Sequence, residues 1–166
     1  MTETLHATAV AIAVDADGPL AGVLILGGSG SGKSALALSL IETCPHQRTA
    51  LVADDVVLVE AIGGRLLARA PPAIAGLIEV RGFGPVKART IASVPLALAV
   101  DLEAPTERVP ALERFVAAAT GESIAIYPFV WAGVEATAPH RLRRMMATIL
   151  GGQNPQRTQD RDPVQD

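Results

Sequence analysis

The sequence predicts a single α/β domain built on a mixed β-sheet with flanking helices. Three observations lead there. Short runs rich in Val, Ile, Leu and Ala alternate with stretches of helical periodicity. A glycine-rich octapeptide lies between one such run and the first helical stretch. Glycine- and aspartate-containing turns join neighbouring runs, so part of the sheet must be antiparallel. The composition agrees: of 166 residues, 49% are hydrophobic and 19% charged, with a mean hydropathy of +0.35, which excludes a disordered or low-complexity chain. A domain of this length buries roughly 70% of the surface its unfolded chain exposes and needs no covalent staple. Cys44 alone closes no disulfide within the chain, and three scattered histidines assemble no zinc site.

Each element has its own signal. Residues 5–14 form an apolar run that stops at the turn cluster DADGP, and residues 22–26 (GVLIL) form a second run, apolar on both faces as in the middle of a covered sheet. From residue 33 to about 43, apolar side chains recur at helical spacing with no Gly or Pro before Pro45. Residues 49–52 and 56–60 read as strands flanking Asp54-Asp55, and the Gly63-Gly64 turn leads to a hairpin partner over 65–70. Pro71-Pro72 breaks the pattern. Residues 74–79 fit a strand or a short helical turn, and 81–85 (RGFGP) a loop. A buried strand ending in acid is expected over 96–102, a short helix over 110–119 and a strand over 123–129. Pro139 opens a last helix that Gly151-Gly152 ends. The domain is thus expected over residues 1–152, with 153–166, one apolar residue in fourteen, as a solvated polar tail.

Charge narrows the partners. A net charge of −3 and a pI near 5.6 lack the basic face that nucleic acid or an anionic membrane would require. Lysine is rare, with Lys33 and Lys87 against 12 arginines, so a lysine at a special position stands out. No uncharged stretch reaches the about 18 apolar residues of a membrane span. Glu3 stands where a secretory leader needs basic residues. A cytoplasmic protein with no membrane or nucleic-acid partner is expected.

The strongest chemical signal is GGSGSGKS, made of Gly27, Gly28, Ser29, Gly30, Ser31, Gly32, Lys33 and Ser34. It fits G-x-x-x-x-G-K-[ST] and lies between a strand and a helix, the setting the motif requires. Glycines let consecutive N–H groups turn inward onto phosphate oxygens, and the helix start adds favourable partial charge. Lys33 would reach the β- and γ-phosphates of a nucleotide such as ATP, and the Ser34 hydroxyl would ligate Mg²⁺. An ordinary glycine-rich turn is the bland alternative. Asp54 and Asp55 end an apolar strand whose tip would share the sheet rim where ligands collect. One acid would serve the Mg²⁺ shell and the other would take a proton from an attacking hydroxyl, with the choice between them open. A solvated turn or helix cap is the competing reading of such a pair.

H-A-T at 6–8, GVLILGGSGSGKSALALSLI at 22–41, LVADD at 51–55 and LIEVRGFG at 77–84 occur together in one order. In this the chain resembles the HPr serine kinase/phosphorylase family over roughly residues 5 to 110. It looks like the short alphaproteobacterial form that holds the catalytic domain alone. The resemblance implies a P-loop kinase-like fold and ATP- and Mg²⁺-dependent phosphorylation of a serine on HPr, the small phosphocarrier of the phosphotransferase system. The reverse activity is phosphorolysis of phosphoserine-HPr. It implies Asp55 as the acid/base in both directions, His6 as a group that neutralises phosphate charge or holds Asp55, and Glu79 as a second Mg²⁺-associated acid. Arg108, in T-E-R-V-P, matches the family's later catalytic arginine, and Arg81 lies in the matched E-V-R-G segment. Arg141, Arg143 and Arg144 fit the polar face of the last helix.

Longer members carry an arginine- and proline-rich segment associated with phosphorolysis. Residues 124–136, IAIYPFVWAGVEA, contain no arginine, so the resemblance implies the kinase direction more than the reverse. The connection TCPHQRTA before LVADD is also a few residues longer than usual. The family assembles as hexamers, and Tyr127, Phe129 and Trp131 form an apolar cluster suited to an interface or to core packing. Two other functions use the same loop. A small-molecule or nucleotide kinase would carry an arginine-rich lid, which is not evident here, and a non-enzymatic ATP-sensing module would bind nucleotide without turnover.

Overall fold

The computed structural model describes residues 1–105 and 113–152. The strands are β1 (Thr2–His6), β2 (Thr8–Ile12), β3 (Ala21–Leu26), β4 (Ala50–Ala53), β5 (Val56–Ile62), β6 (Arg65–Arg69), β7 (Leu77–Val80), β8 (Gly84–Lys87), β9 (Ser93–Asp101), β10 (Glu113–Val116) and β11 (Ser123–Pro128). The helices are α1 (Lys33–Glu42) and α2 (Ala138–Leu150). Among the described residues, nine strands join one sheet in the order β1-β5-β6-β9-β3-β2-β4, with β11 paired to β9 and β10 to β11. β7 and β8 form a separate hairpin.

β9 is the hub. Its first residues, Ser93–Pro95, pair with antiparallel β6, and its last, Ala99–Asp101, pair with parallel β11 on the same edge. β3 runs parallel along the other edge. Because β2 is antiparallel to both β3 and β4, strands β3, β4, β9 and β11 all point the same way and end at one rim. Alternation along the central strands divides the core. Val23 and Ile25 of β3, with Leu98 and Val100 of β9, pack under Leu36 and Leu40 of α1 and Leu142 and Met146 of α2. Leu24 and Ala99 face the other way, onto Val57, Val59, Leu66 and Ala68 of the curled sheet.

Most expected elements are present, and the departures have a common cause in long-range pairing. The run expected as one strand over 5–14 divides at Ala7, where the chain changes neighbours: β1 pairs with β5, and β2 with β3 and β4. Residues 110–119 contain no helix among those described; Glu113–Val116 is instead a strand that takes its hydrogen bonds from β11. Pairing here overrides local propensity. Residues 74–79 resolve into a 3₁₀ turn at Pro72–Ile74 and then β7. The expected loop 81–85 shortens to a turn, because Gly84 and Pro85 already belong to β8. Tyr127 and Phe129 are buried in the core and Trp131 packs against it, so this cluster is core packing. The polar tail 153–166 lies outside the described residues.

Candidate active site

The phosphate loop follows β3, the acid pair follows β4, Glu103 follows β9 and Trp131 follows β11, so four parallel strand ends deliver four groups to one rim, where open α/β sheets bind ligands. The loop's last glycine shows why the motif needs that residue type. Gly32 has φ 101°, a left-handed angle, and forms the N-cap of α1 with no side-chain cap. The first N–H groups of α1 therefore remain available to an anion, and no capping carboxylate competes with it. Lys33 is buried, and its ammonium donates to the carbonyls of Gly27 at 2.9 Å and Gly28 at 2.8 Å. The cation thus lies across the loop with a hydrogen-bonding environment that a phosphate could replace.

Asp54 and Asp55, adjacent in sequence, occupy opposite environments. The N–H of Val56 donates to the Asp54 carbonyl at 2.8 Å, and Asp55, at the centre of this γ-turn, has φ 65°. Such an angle is costly for most residues and tolerated by Asp. The turn sends Asp54 inward and Asp55 outward. Buried Asp54 accepts from Ser34 Oγ at 2.8 and 2.9 Å, from Thr8 Oγ1 at 2.8 Å and from the Glu79 N–H at 2.9 Å. Three donors satisfy a carboxylate that would otherwise be expensive to bury. Exposed Asp55 faces His6, with Oδ1 3.1 Å from Nδ1.

Part of the sequence-derived set is therefore brought together: Ser34 of the loop reaches Asp54, Lys33 folds back onto the loop's own carbonyls, and Asp55, next to Asp54 in the chain, pairs with His6. Glu79 contributes its backbone directly, while its side chain is exposed. Arg108 lies outside the described residues. Ser34, Asp54 and Glu79 offer hard oxygen donors of the kind Mg²⁺ takes when it also rides on phosphate. They form no closed cage, since among the described residues no cluster of three or more His, Cys, Asp or Glu side chains could hold a metal.

Three contacts escaped the sequence reading. Thr8 fastens Asp54, and only its place in H-A-T hinted at a role. Glu103 accepts the Gly28 N–H at 2.8 Å and is itself held by its own N–H to Asp101 Oδ1 at 2.9 Å; the acidic end of β9 was visible, but not its target 75 residues away. Trp131 lies against Gly32, with no local signal at all.

Comparisons with known proteins bear on fold and family. HPr kinase/phosphorylase of Clostridium beijerinckii is 44% identical over 70 residues, 42% of this chain and 22% of the relative. The same-named protein of Nitrosomonas europaea is 48% identical over 71 residues, 42% of this chain and 21% of the relative. These matches span about a fifth of the relatives' length. The structure of the Hpr(Ser) kinase/phosphatase from Coxiella burnetii superposes with a TM-score of 0.71 over 90% of this chain and 99% of that one, at 22% identity, so the fold is shared. The family profile described as HPr Serine kinase C-terminal domain matches residues 2–115, and the chain belongs to that family.

Proposed function

We propose that the protein is an ATP- and Mg²⁺-dependent protein-serine kinase that phosphorylates an HPr-type phosphocarrier protein. The observation that carries this reading is the hydrogen-bonded bridge from Ser34 to Asp54, which joins the phosphate loop to the acid pair and leaves Asp55 exposed at its edge beside His6. Phosphoryl transfer asks little covalent chemistry of a protein and is served by positioning and charge neutralisation. Lys33 and the uncapped N–H groups at the start of α1 bind the phosphates. Ser34 and Asp54, with Glu79 at hand, are the residues that would hold Mg²⁺, whose charge would offset that of the terminal phosphates.

Ionised Asp55 accepts the proton of the acceptor serine as that oxygen bonds to the γ-phosphorus and the bond to the bridging oxygen of ADP breaks. His6 holds the Asp55 carboxylate through the Nδ1–Oδ1 contact. Protonated Asp55 returns a proton to the serine oxygen if inorganic phosphate attacks phosphoserine, so one carboxyl group can serve both directions. Arg108 is assigned to charge on the transferred group by family resemblance. The cytoplasm as workplace and a hexamer as assembly rest on the same resemblance; among the described residues no helix is long and apolar enough to cross a membrane.

The test mixes the chain with Mg²⁺-ATP and HPr and measures phosphoserine by mass spectrometry. Phosphoserine on HPr is expected; ATP bound or consumed without it would overturn the assignment. Asp55→Asn should keep ATP affinity and lose about 10² to 10⁴ of the transfer rate, the usual share of a general base.

A further inference from the structure

Trp131, the only tryptophan of the chain, takes no part in the transfer chemistry, yet it stands against the phosphate loop. It follows β11, which lies beyond β9, on the side of β3 away from β2 and β4. A methyl group on Gly32 would run into the indole nitrogen and lie 2.8 Å from Cδ1, so ring and loop are in direct contact. The segment is firmly held. Phe129 is buried in the core, the Arg141 guanidinium lies 4.9 Å from its ring centre and donates to the Val130 carbonyl, and the Val134 N–H donates to the Trp131 carbonyl at 3.2 Å. The indole itself is half-buried, and its N–H has no hydrogen-bond partner among the described residues.

A bound triphosphate has a direction, and that direction gives the ring a role. Ser34, Asp54 and Asp55 lie on the β4 side of the loop. A nucleotide that offers its terminal phosphate there and extends across the loop toward β9 and β11 would pass Gly32 and the indole. We propose that Trp131 forms the nucleoside-side wall of the nucleotide site. Its π-face provides stacking or apolar contact to the base, and its N–H is a donor for a ribose or α-phosphate oxygen. This rests on the reading of residues 27–34 as an ATP-binding loop.

The test compares ATP with inorganic tripolyphosphate, which has the phosphate chain but no nucleoside, by calorimetry with Mg²⁺ present. Trp131→Ala should weaken ATP about tenfold, in line with the loss of one base–aromatic stack, and change tripolyphosphate affinity less than about twofold. Trp131→Phe should recover most of the loss. Equal weakening of both ligands, or of neither, would overturn the proposal while leaving the loop's role intact. Absence of ATP binding by the unaltered chain would overturn both. Should Trp131→Ala fail to fold, the unaltered chain decides: its single-tryptophan emission must change as calorimetric ATP binding saturates, and unchanged emission rejects the wall.

Discussion

At the scale of single residues, the acid pair shows how backbone geometry assigns chemistry. Asp54 and Asp55 looked equivalent in sequence because nothing local distinguishes two adjacent carboxylates. The γ-turn separates them: one is buried under three donors, the other exposed beside His6. Asp55 holds its position at φ 65°, a conformation that costs most side chains about 1–2 kcal/mol but is eased for Asp and Asn. Asp55→Asn should therefore unfold in urea at nearly the concentration of the unaltered chain, whereas Asp55→Ala should lose about 1 kcal/mol. Equal stability of the two variants would show that the turn carries no strain. The comparison also makes Asp55→Asn the cleaner probe of transfer.

Elements differ in how much of them could be read in advance. α1 and the strand before it were legible because glycine motif, helical spacing and a following Pro45 are all local. β10 was not, since its hydrogen bonds come from β11 and its own periodicity is too short to tell strand from helix. The segment after α1 holds a second hidden feature, the buried Cys44 thiol. Burial pushes its pKa up, but hydrogen bonding with Thr49 and the backbone of Arg48 and His46 outweighs this and brings it down to about 7. An unfolded chain holds that proton to about pH 8.5. The folded thiol ionises first, so stability should rise between about pH 7 and 9, and the gain should be lost as pH falls through 7. Relative to Cys44→Ser, the chain should gain about 1–2 kcal/mol over that interval in urea denaturation. A flat difference between pH 7 and 9 would show that the thiol keeps its proton.

Over the whole molecule, the site depends on topology that no short window contains. Four strands end together only because β2 reverses between β3 and β4 and because β9 exchanges β6 for β11 midway along one edge. The motif predicted the loop, and the strand preceding the acids suggested the shared rim. The contacts of Glu103 and Trp131 with the loop arise instead from chain returns 75 residues and more away. The assembled rim is also where the folded chain has unspent binding capacity: uncapped N–H groups at the start of α1 and a buried ammonium resting on two carbonyls. An unfolded chain has neither arrangement. A ligand that binds the folded state alone adds RT ln(1 + [L]/Kd), about 2.7 kcal/mol at a hundred times Kd. Mg²⁺-ATP at that excess should raise the urea midpoint accordingly. Lys33→Ala, which removes the cation but leaves the helix start, should need a higher ATP concentration for the same rise. If saturating nucleotide leaves both denaturation curves unmoved, the rim does not assemble into a phosphate site.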